Sequence, residues 1–233
     1  IHESNSFAGK SNILLGKKAV KVFTATAGME KFFPAAKILV TGNPVRKVIA
    51  AANVSREAAV EFFKLDAAKK TVLSIGGSLG AQSINEAIDK NIAEFEKNDL
   101  QLIWQTGKPY KEKAMAIAAG HKNIFVSDFI TQMEQAYAAA DIIISRSGAM
   151  AIAEICVVKK PAVFVPYPFA AEDHQTANAK NLVDKNAGLM VRNEEAGENL
   201  VATVIELSKD SGLQARLKEN IAKLGVTNAD ETI

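Results

Sequence analysis

Cysteine is almost absent: the 233 residues hold one, Cys156. An internal disulfide framework is excluded, and the count fits a reducing compartment. Cys156 sits in an apolar helical run and reads as a small buried hydrophobe. Histidine is scarce as well, three residues far apart, and neither Asp-X-Asp nor Cys/His ligand spacing occurs. No protein-ligated metal and no cofactor is expected from that pattern. A Gly-X-Ser-X-Gly elbow is missing, which argues against a serine triad. Gly-X-Gly-X-X-G is missing too, with no acidic residue placed about 20 positions beyond it, which argues against a nicotinamide-dependent oxidoreductase. No Gly-Lys-Ser/Thr follows a glycine loop, so there is no Walker motif. There is no signal peptide and no apolar run near 18 residues, hence no expected transmembrane span. The net charge is only +2, and no Lys/Arg block is long enough to serve as a nucleic-acid arm.

What is present is the composition of a globular protein, 48% hydrophobic and 23% charged, with length enough for a substantial core. The chain opens at Ile1 rather than Met and closes on Asp230-Glu231-Thr232-Ile233. Both ends are those expected of a piece of a longer protein. Residues 1–46 read as a loop and short helix, a strand over Val20–Ala25, a short helix over Gly28–Phe33 stopped by Pro34, and a strand over Ile38–Thr41. That stretch is expected to be too short to bury a core of its own.

Beyond it the pattern changes. Ser55 is a suitable N-cap for a helix over Ser55–Leu65. Strands and helices then alternate. The strands are expected over Thr71–Ile75, Leu100–Gln105, Asn123–Val126, Asp141–Ser145, Ala162–Val165 and Gly188–Val191. The helices are expected over Ile84–Glu96, Pro109–Ala118, Met133–Ala139, Ala149–Val158 and Gln175–Lys185. Two further helices, broken near Ser211-Gly212, fill Asn199–Leu224. Unbroken apolar runs such as Asp141–Ser145 are those of strands covered on both faces. Strict alternation implies an α/β fold with a parallel sheet and right-handed crossovers.

In such sheets ligands sit at the carboxyl ends of the strands. Two strand-to-helix turns fall there. One is Gly76-Gly77-Ser78-Leu79-Gly80-Ala81, where glycines let the backbone approach an anion and the helix N-terminus adds roughly +0.5 of a charge. The other is Ser145-Arg146-Ser147-Gly148-Ala149, with Ser147 or Gly148 as the cap. Two such cradles on one edge suit a diphosphate better than one. Glu154, one turn into the second helix, can reach back over a bound group and accept ribose hydroxyls, or it can be a solvated residue favoured by the helix dipole. Asp173 reads as a helix cap. His174 can be a general base, although a structural hydrogen bond is the simpler assignment. Gln175 has the donor and acceptor that sugar hydroxyls need. Trp104 and Tyr110 read as packing residues, and the Lys17-Lys18 and Lys69-Lys70 pairs as solvated.

Five stretches occur in order: Ile1-His2-Glu3-Ser4-Asn5, Gly42-Asn43-Pro44-Val45-Arg46, Gly76 to Ala81, Ser145 to Ala149 followed by Glu154, and Asp173-His174-Gln175. Together they resemble the MurG family, bacterial N-acetylglucosaminyltransferases that make lipid II. The resemblance runs in register over essentially the whole chain. It implies a GT-B fold, two Rossmann-like doubly wound domains facing a cleft. Residues 1–46 would be the last part of the acceptor domain and 47–233 the UDP-sugar donor domain. The reaction implied is inverting transfer from UDP-N-acetylglucosamine to lipid I, in peptidoglycan synthesis. The family's two N-terminal glycine-rich loops are not in this sequence, and with them its proposed catalytic base, so no catalytic residue is assigned here.

The resemblance carries donor-site roles onto this sequence. Ser78 and the N–H groups of Gly76–Gly80, Gly77 among them, would hold the diphosphate. Ile130 would meet the uracil through its backbone. The turn of Gly148, Ala149, Met150, Ala151, Ile152 and Ala153 would bind the nucleotide, with Glu154 on the ribose and Gln175 on the sugar. Asn5 and Arg46 would come from the acceptor side of the cleft, Arg46 balancing diphosphate charge. The lipid acceptor implies a peripheral enzyme at the cytoplasmic face of the inner membrane. A UDP-N-acetylglucosamine epimerase or another UDP-sugar glycosyltransferase of the same fold would share the cradles and Glu154, but should lack the first two stretches. A non-catalytic nucleotide-binding module is the remaining alternative.

Overall fold

The computed structural model describes residues 1–77 and 79–233. Ser78, assigned above to the diphosphate, lies outside the described residues. Two parallel sheets organise the chain. The first is built from β1 (His2–Glu3), β2 (Val22–Thr24) and β3 (Ile38–Val40) in the order β1-β2-β3, with α1 (Lys10–Gly16) in the first crossover. Contrary to expectation, this short segment has a core of its own. Ala8, Val22, Met29 and Phe33 are buried, with Ile1, Ile13 and Ile38 packed against them. The reason is close approach: a Cβ on Gly16 would stand 2.6 Å from the Phe33 ring, so α1 lies almost in contact with that side chain. The sequence pattern predicts a loop at β1, because two residues carry no periodicity.

The second sheet follows α2 (Lys47–Ala50) and α3 (Arg56–Phe62). Its strands are β4 (Lys70–Ile75), β5 (Leu100–Gln105), β6 (Ile124–Ser127), β7 (Ile142–Ser145), β8 (Ala162–Phe164) and β9 (Leu189–Met190). The strand order is β6-β5-β4-β7-β8-β9, every neighbour parallel. This is the Rossmann-like doubly wound order, in which the winding reverses between the first and fourth strands. Here that switch point lies between β4 and β7.

Helices cover both faces. α4 (Gln82–Lys90), α5 (Ile92–Lys97) and α6 (Lys111–Ala118) cover one, through Ile84, Ile88, Phe95 and Ala114. α7 (Met133–Ala139), α8 (Ala149–Val158) and α9 (His174–Val183) cover the other, through Tyr137, Ile155 and Leu182. α10 (Ala196–Lys209) joins the first face through Leu200 and Val204, followed by α11 (Ser211–Ala222) and α12 (Ala229–Thr232). The central strands are buried along their length, as their unbroken apolar runs require. The single helix expected over Ile84–Glu96 is two. Asn91 breaks it by donating its side-chain amide to the Ala87 carbonyl, a local bond that competes with helix continuation.

Ser55 caps α3 as expected, accepting from the Ala58 amide. Trp104 is fully buried, its indole N–H donating to Asn85, and Tyr110 donates to Asp89. Cys156 is buried, and burial pushes its thiol pKa up to about 12. Lys69 and Lys70 are not simply solvated. Lys69 pairs with Asp99 at 2.7 Å, and Lys70 donates to the Ser208 carbonyl at 2.6 Å. Among the described residues no helix is long and apolar enough to cross a membrane.

Candidate functional site

The two turns singled out in the sequence follow β4 and β7, the strands that flank the switch point. Each opens a helix whose N-terminus has no side-chain cap: Ala81 precedes α4 and Gly148 precedes α8. Free backbone N–H groups and the positive ends of two helices therefore face one edge. Ser147 does not cap α8, where Gly148 holds the N-cap position. Its hydroxyl donates instead to the Gln175 carbonyl at 2.8 Å, tying α9 to the turn.

A cavity of about 280 Å³ opens between the turns. Gly76 and Gly77 form one wall, Gly148, Met150 and Ala151 another, with Ile130, Glu154, Gln175 and Arg46 around them. Ala149, Ile152 and Ala153 lie on the opposite side of α8. They line a second cavity of about 280 Å³, shared with Ser4, Thr26 and Asn43. Asn5 lines neither cavity. Its side chain donates to Glu3 and accepts from Asn178 at 3.0 Å.

Within the first cavity the contacts are specific. The Glu154 Oε1 accepts from Arg46 Nε at 3.0 Å, and Oε2 accepts from the Tyr137 hydroxyl at 2.9 Å. Burial, and then the Glu154 carboxylate, hold the Tyr137 phenol pKa well above its ordinary value, so it remains a donor. The Ile130 N–H donates to Gln105 Oε1 at 3.1 Å, and among the described residues its carbonyl accepts no hydrogen bond. The Gln105 side-chain amide reaches the Gly77 carbonyl at 3.4 Å, so this buried residue spans the glycine loop and Ile130. Gln175 Oε1 accepts from the Tyr167 N–H at 3.0 Å, leaving Nε2 to donate.

Arg146 is held by four oxygen acceptors on three segments. It donates to the Val165 and Pro166 carbonyls, to Asn193 at 2.8 Å and to Ser83 at 3.1 Å, with its guanidinium over the Tyr167 ring. It thereby ties the first turn of α4 to the end of β8. Burial works against its charge and lowers its pKa. His174 makes a structural contact, Nδ1 to the Ala171 carbonyl at 2.7 Å. Asp173 precedes α9 at a positive φ of 53°, and its carboxylate accepts from the Thr176 hydroxyl rather than from a backbone N–H. Among the described residues no three His, Cys, Asp or Glu side chains gather as metal ligands would.

A second network joins the two sheets. Asn178 of α9 accepts from the Ser6 N–H at 2.7 Å and donates to Asn5 and to the Ser147 carbonyl. Glu3, buried, accepts from the Asn5 and Gly9 amides and from the Asn12 side chain. Asn43 donates to the Ser4 carbonyl at 3.0 Å and reaches the Ala149 carbonyl at 3.4 Å. Sequence reasoning missed Tyr137, Gln105 and Asn178. Each was placed in its helix or strand, and only the polar character of a residue expected to be buried could have marked it.

The sequence profile of the glycosyltransferase family 28 C-terminal domain matches residues 71–233. A curated protein of Parabacteroides distasonis is named UDP-N-acetylglucosamine–N-acetylmuramyl-(pentapeptide) pyrophosphoryl-undecaprenol N-acetylglucosamine transferase. It is 46% identical, the match covering 100% of this chain and 64% of that protein. A Phocaeicola vulgatus protein of the same name is 46% identical, with 100% and 63% covered. The crystal structure of Acinetobacter baumannii MurG matches with a TM-score of 0.80 at 29% identity, over 100% of this chain and 64% of that one. A UDP-N-acetylglucosamine 2-epimerase matches at 0.61 and 17% identity, over 93% of this chain and 56% of that one, a likeness of fold alone. The chain thus spans 64% and 63% of the length of these two curated relatives.

Proposed function

Because the chain belongs to the glycosyltransferase family 28 C-terminal domain family, we propose that it forms the donor-binding portion of a bacterial N-acetylglucosaminyltransferase. The enzyme transfers N-acetylglucosamine from UDP-N-acetylglucosamine to lipid I, the reaction that the names of its relatives describe. Residues 47–233 are the donor domain and 1–46 the end of the acceptor domain. The observation that carries this reading is the meeting, in one cavity at the switch point, of the Gly76-Gly77 backbone and the uncapped N-terminus of α8 with a carboxylate beside them. A nucleoside diphosphate needs that combination: N–H groups for the phosphates and an acceptor for the ribose.

In this reading the N–H groups of Gly76 and Gly77 and of the first turn of α8 take the diphosphate, and the Ile130 carbonyl faces the uracil. Glu154 accepts the ribose hydroxyls, and the free Nε2 of Gln175 donates to the sugar. As the C4 hydroxyl of the acceptor attacks the anomeric carbon, UDP leaves with inversion. Charge then grows on the diphosphate, where the cradle N–H groups and Arg46 stabilise it. One such preorganised donor is typically worth about 3–4 kcal/mol in the transition state. No residue of this chain is assigned as general base. Leu14, Leu15 and Val20 are exposed beside Lys17, Lys18 and Lys21, a mixture of apolar and basic side chains suited to peripheral contact with an anionic membrane surface.

The test is calorimetric titration of the chain with UDP, UDP-N-acetylglucosamine, UDP-glucose and NAD. Binding of the uridine ligands, N-acetylglucosamine preferred and NAD silent, is the expected result. No heat from any uridine ligand would overturn the reading.

A further inference from the structure

Glu154 carries two protein hydrogen bonds, one on each oxygen: Arg46 on Oε1 and Tyr137 on Oε2. An ionised carboxylate offers about four acceptor positions. One position on each oxygen is therefore left. Two free acceptors on the two oxygens of one carboxylate match two adjacent hydroxyls, as on the 2′ and 3′ carbons of a ribose. That match requires the carboxylate plane to be fixed, because rotation about its last bond would turn both acceptors away.

The two partners are not equal in fixing it. The Arg46 side chain is 53% exposed, so its hold is screened by solvent and costs rotamer freedom to maintain. Tyr137 is 2% exposed, its ring packed in the core beneath α8, with two rotatable bonds already settled by packing. Its hydroxyl is neutral and remains a donor, since burial and the adjacent carboxylate both oppose its ionisation. It also sits on the wall of the cavity, so the bond orients Glu154 from within the site.

We propose that Tyr137 is a positioning residue for the donor nucleotide: its hydroxyl holds Glu154 so that the carboxylate accepts both hydroxyls of a ribose cis-diol. The proposal rests on the donor-site reading given above. Arg46 is the exchangeable partner, free to leave Oε1 when a diphosphate arrives, while Tyr137 stays.

The experiment compares UDP with 2′,3′-dideoxy-UDP by titration calorimetry, in the native chain and in Tyr137→Phe, which keeps the ring and removes only the hydroxyl. The native chain should bind UDP more tightly than the dideoxy analogue. Tyr137→Phe should weaken UDP by roughly tenfold, the scale of one hydrogen bond to a charged acceptor, and leave the dideoxy analogue unchanged. Equal loss for both ligands, or loss for neither, would overturn the role of Tyr137 while leaving the donor site standing. A native chain that binds both ligands equally would reject Glu154 as the diol acceptor and Tyr137 with it. Absence of any uridine binding would reject the donor site itself. Should Tyr137→Phe not fold, Glu154→Asp draws the carboxylate back from an unaltered tyrosine. It should show the same selective loss, and a uniform loss would again count against the proposal.

Discussion

Gln175 shows how much a single side chain can decide. Its Oε1 is already committed to the Tyr167 N–H, and its main-chain carbonyl to Ser147. What it has to offer a ligand is Nε2, on the sugar side of the cavity. Gln175→Ala should therefore leave UDP affinity within about twofold and bring UDP-N-acetylglucosamine down to the level of UDP, a loss of about 1 kcal/mol. Calorimetry with the two ligands reads this directly, and equal losses for both would contradict it. That Glu154, Arg46 and Gln175 would come together in one cavity was legible because each belongs to a short ordered stretch of sequence. Tyr137 and Gln105 were not. Their partners lie 17 and 25 positions away, and neither the periodicity of a helix nor that of a strand encodes which buried polar group will meet which.

At the scale of elements, the glycine turn makes two different demands. Gly77 and Gly80 both have φ of +76°, a conformation that costs an L-residue about 1–2 kcal/mol. Gly77 faces open space, whereas a Cβ on Gly80 would stand 2.1 Å from the Thr106 carbonyl oxygen. Gly77→Ala should then cost about 1–2 kcal/mol of stability. Gly80→Ala should cost about 2–5, because backbone must move as well. Urea unfolding of the two variants would show the difference, and similar losses would contradict it.

The strands of the large sheet were readable to within about a residue, since burial on both faces leaves an apolar run with sharp ends. Leu100–Gln105 falls where it was expected. Helix ends were less so. The break at Asn91 depends on a side-chain hydrogen bond, and the positive φ at Asp173 removes the cap geometry that its residue type suggests.

For the whole molecule, the alternation of strand and helix sufficed to anticipate a doubly wound parallel sheet and a site on its carboxyl edge. It did not reveal that the first three strands form a sheet with a small core. Nor did it reveal that Asn178, Asn43 (through the Ala149 carbonyl) and the Arg46–Glu154 pair join the two sheets. Those contacts bridge 172, 106 and 108 positions of sequence, and they exist only once both sheets are folded. Arg46 consequently has two calls on it, Glu154 in this structure and a diphosphate in the proposed complex.

The measurement that bears most directly on the donor site is a crystal structure of the chain with UDP-N-acetylglucosamine. The diphosphate should lie between the Gly76–Gly80 turn and the N-terminus of α8, the ribose hydroxyls on Glu154, and the uracil against Ile130. A nucleotide bound elsewhere on the surface, or a ribose turned away from Glu154, would contradict the account.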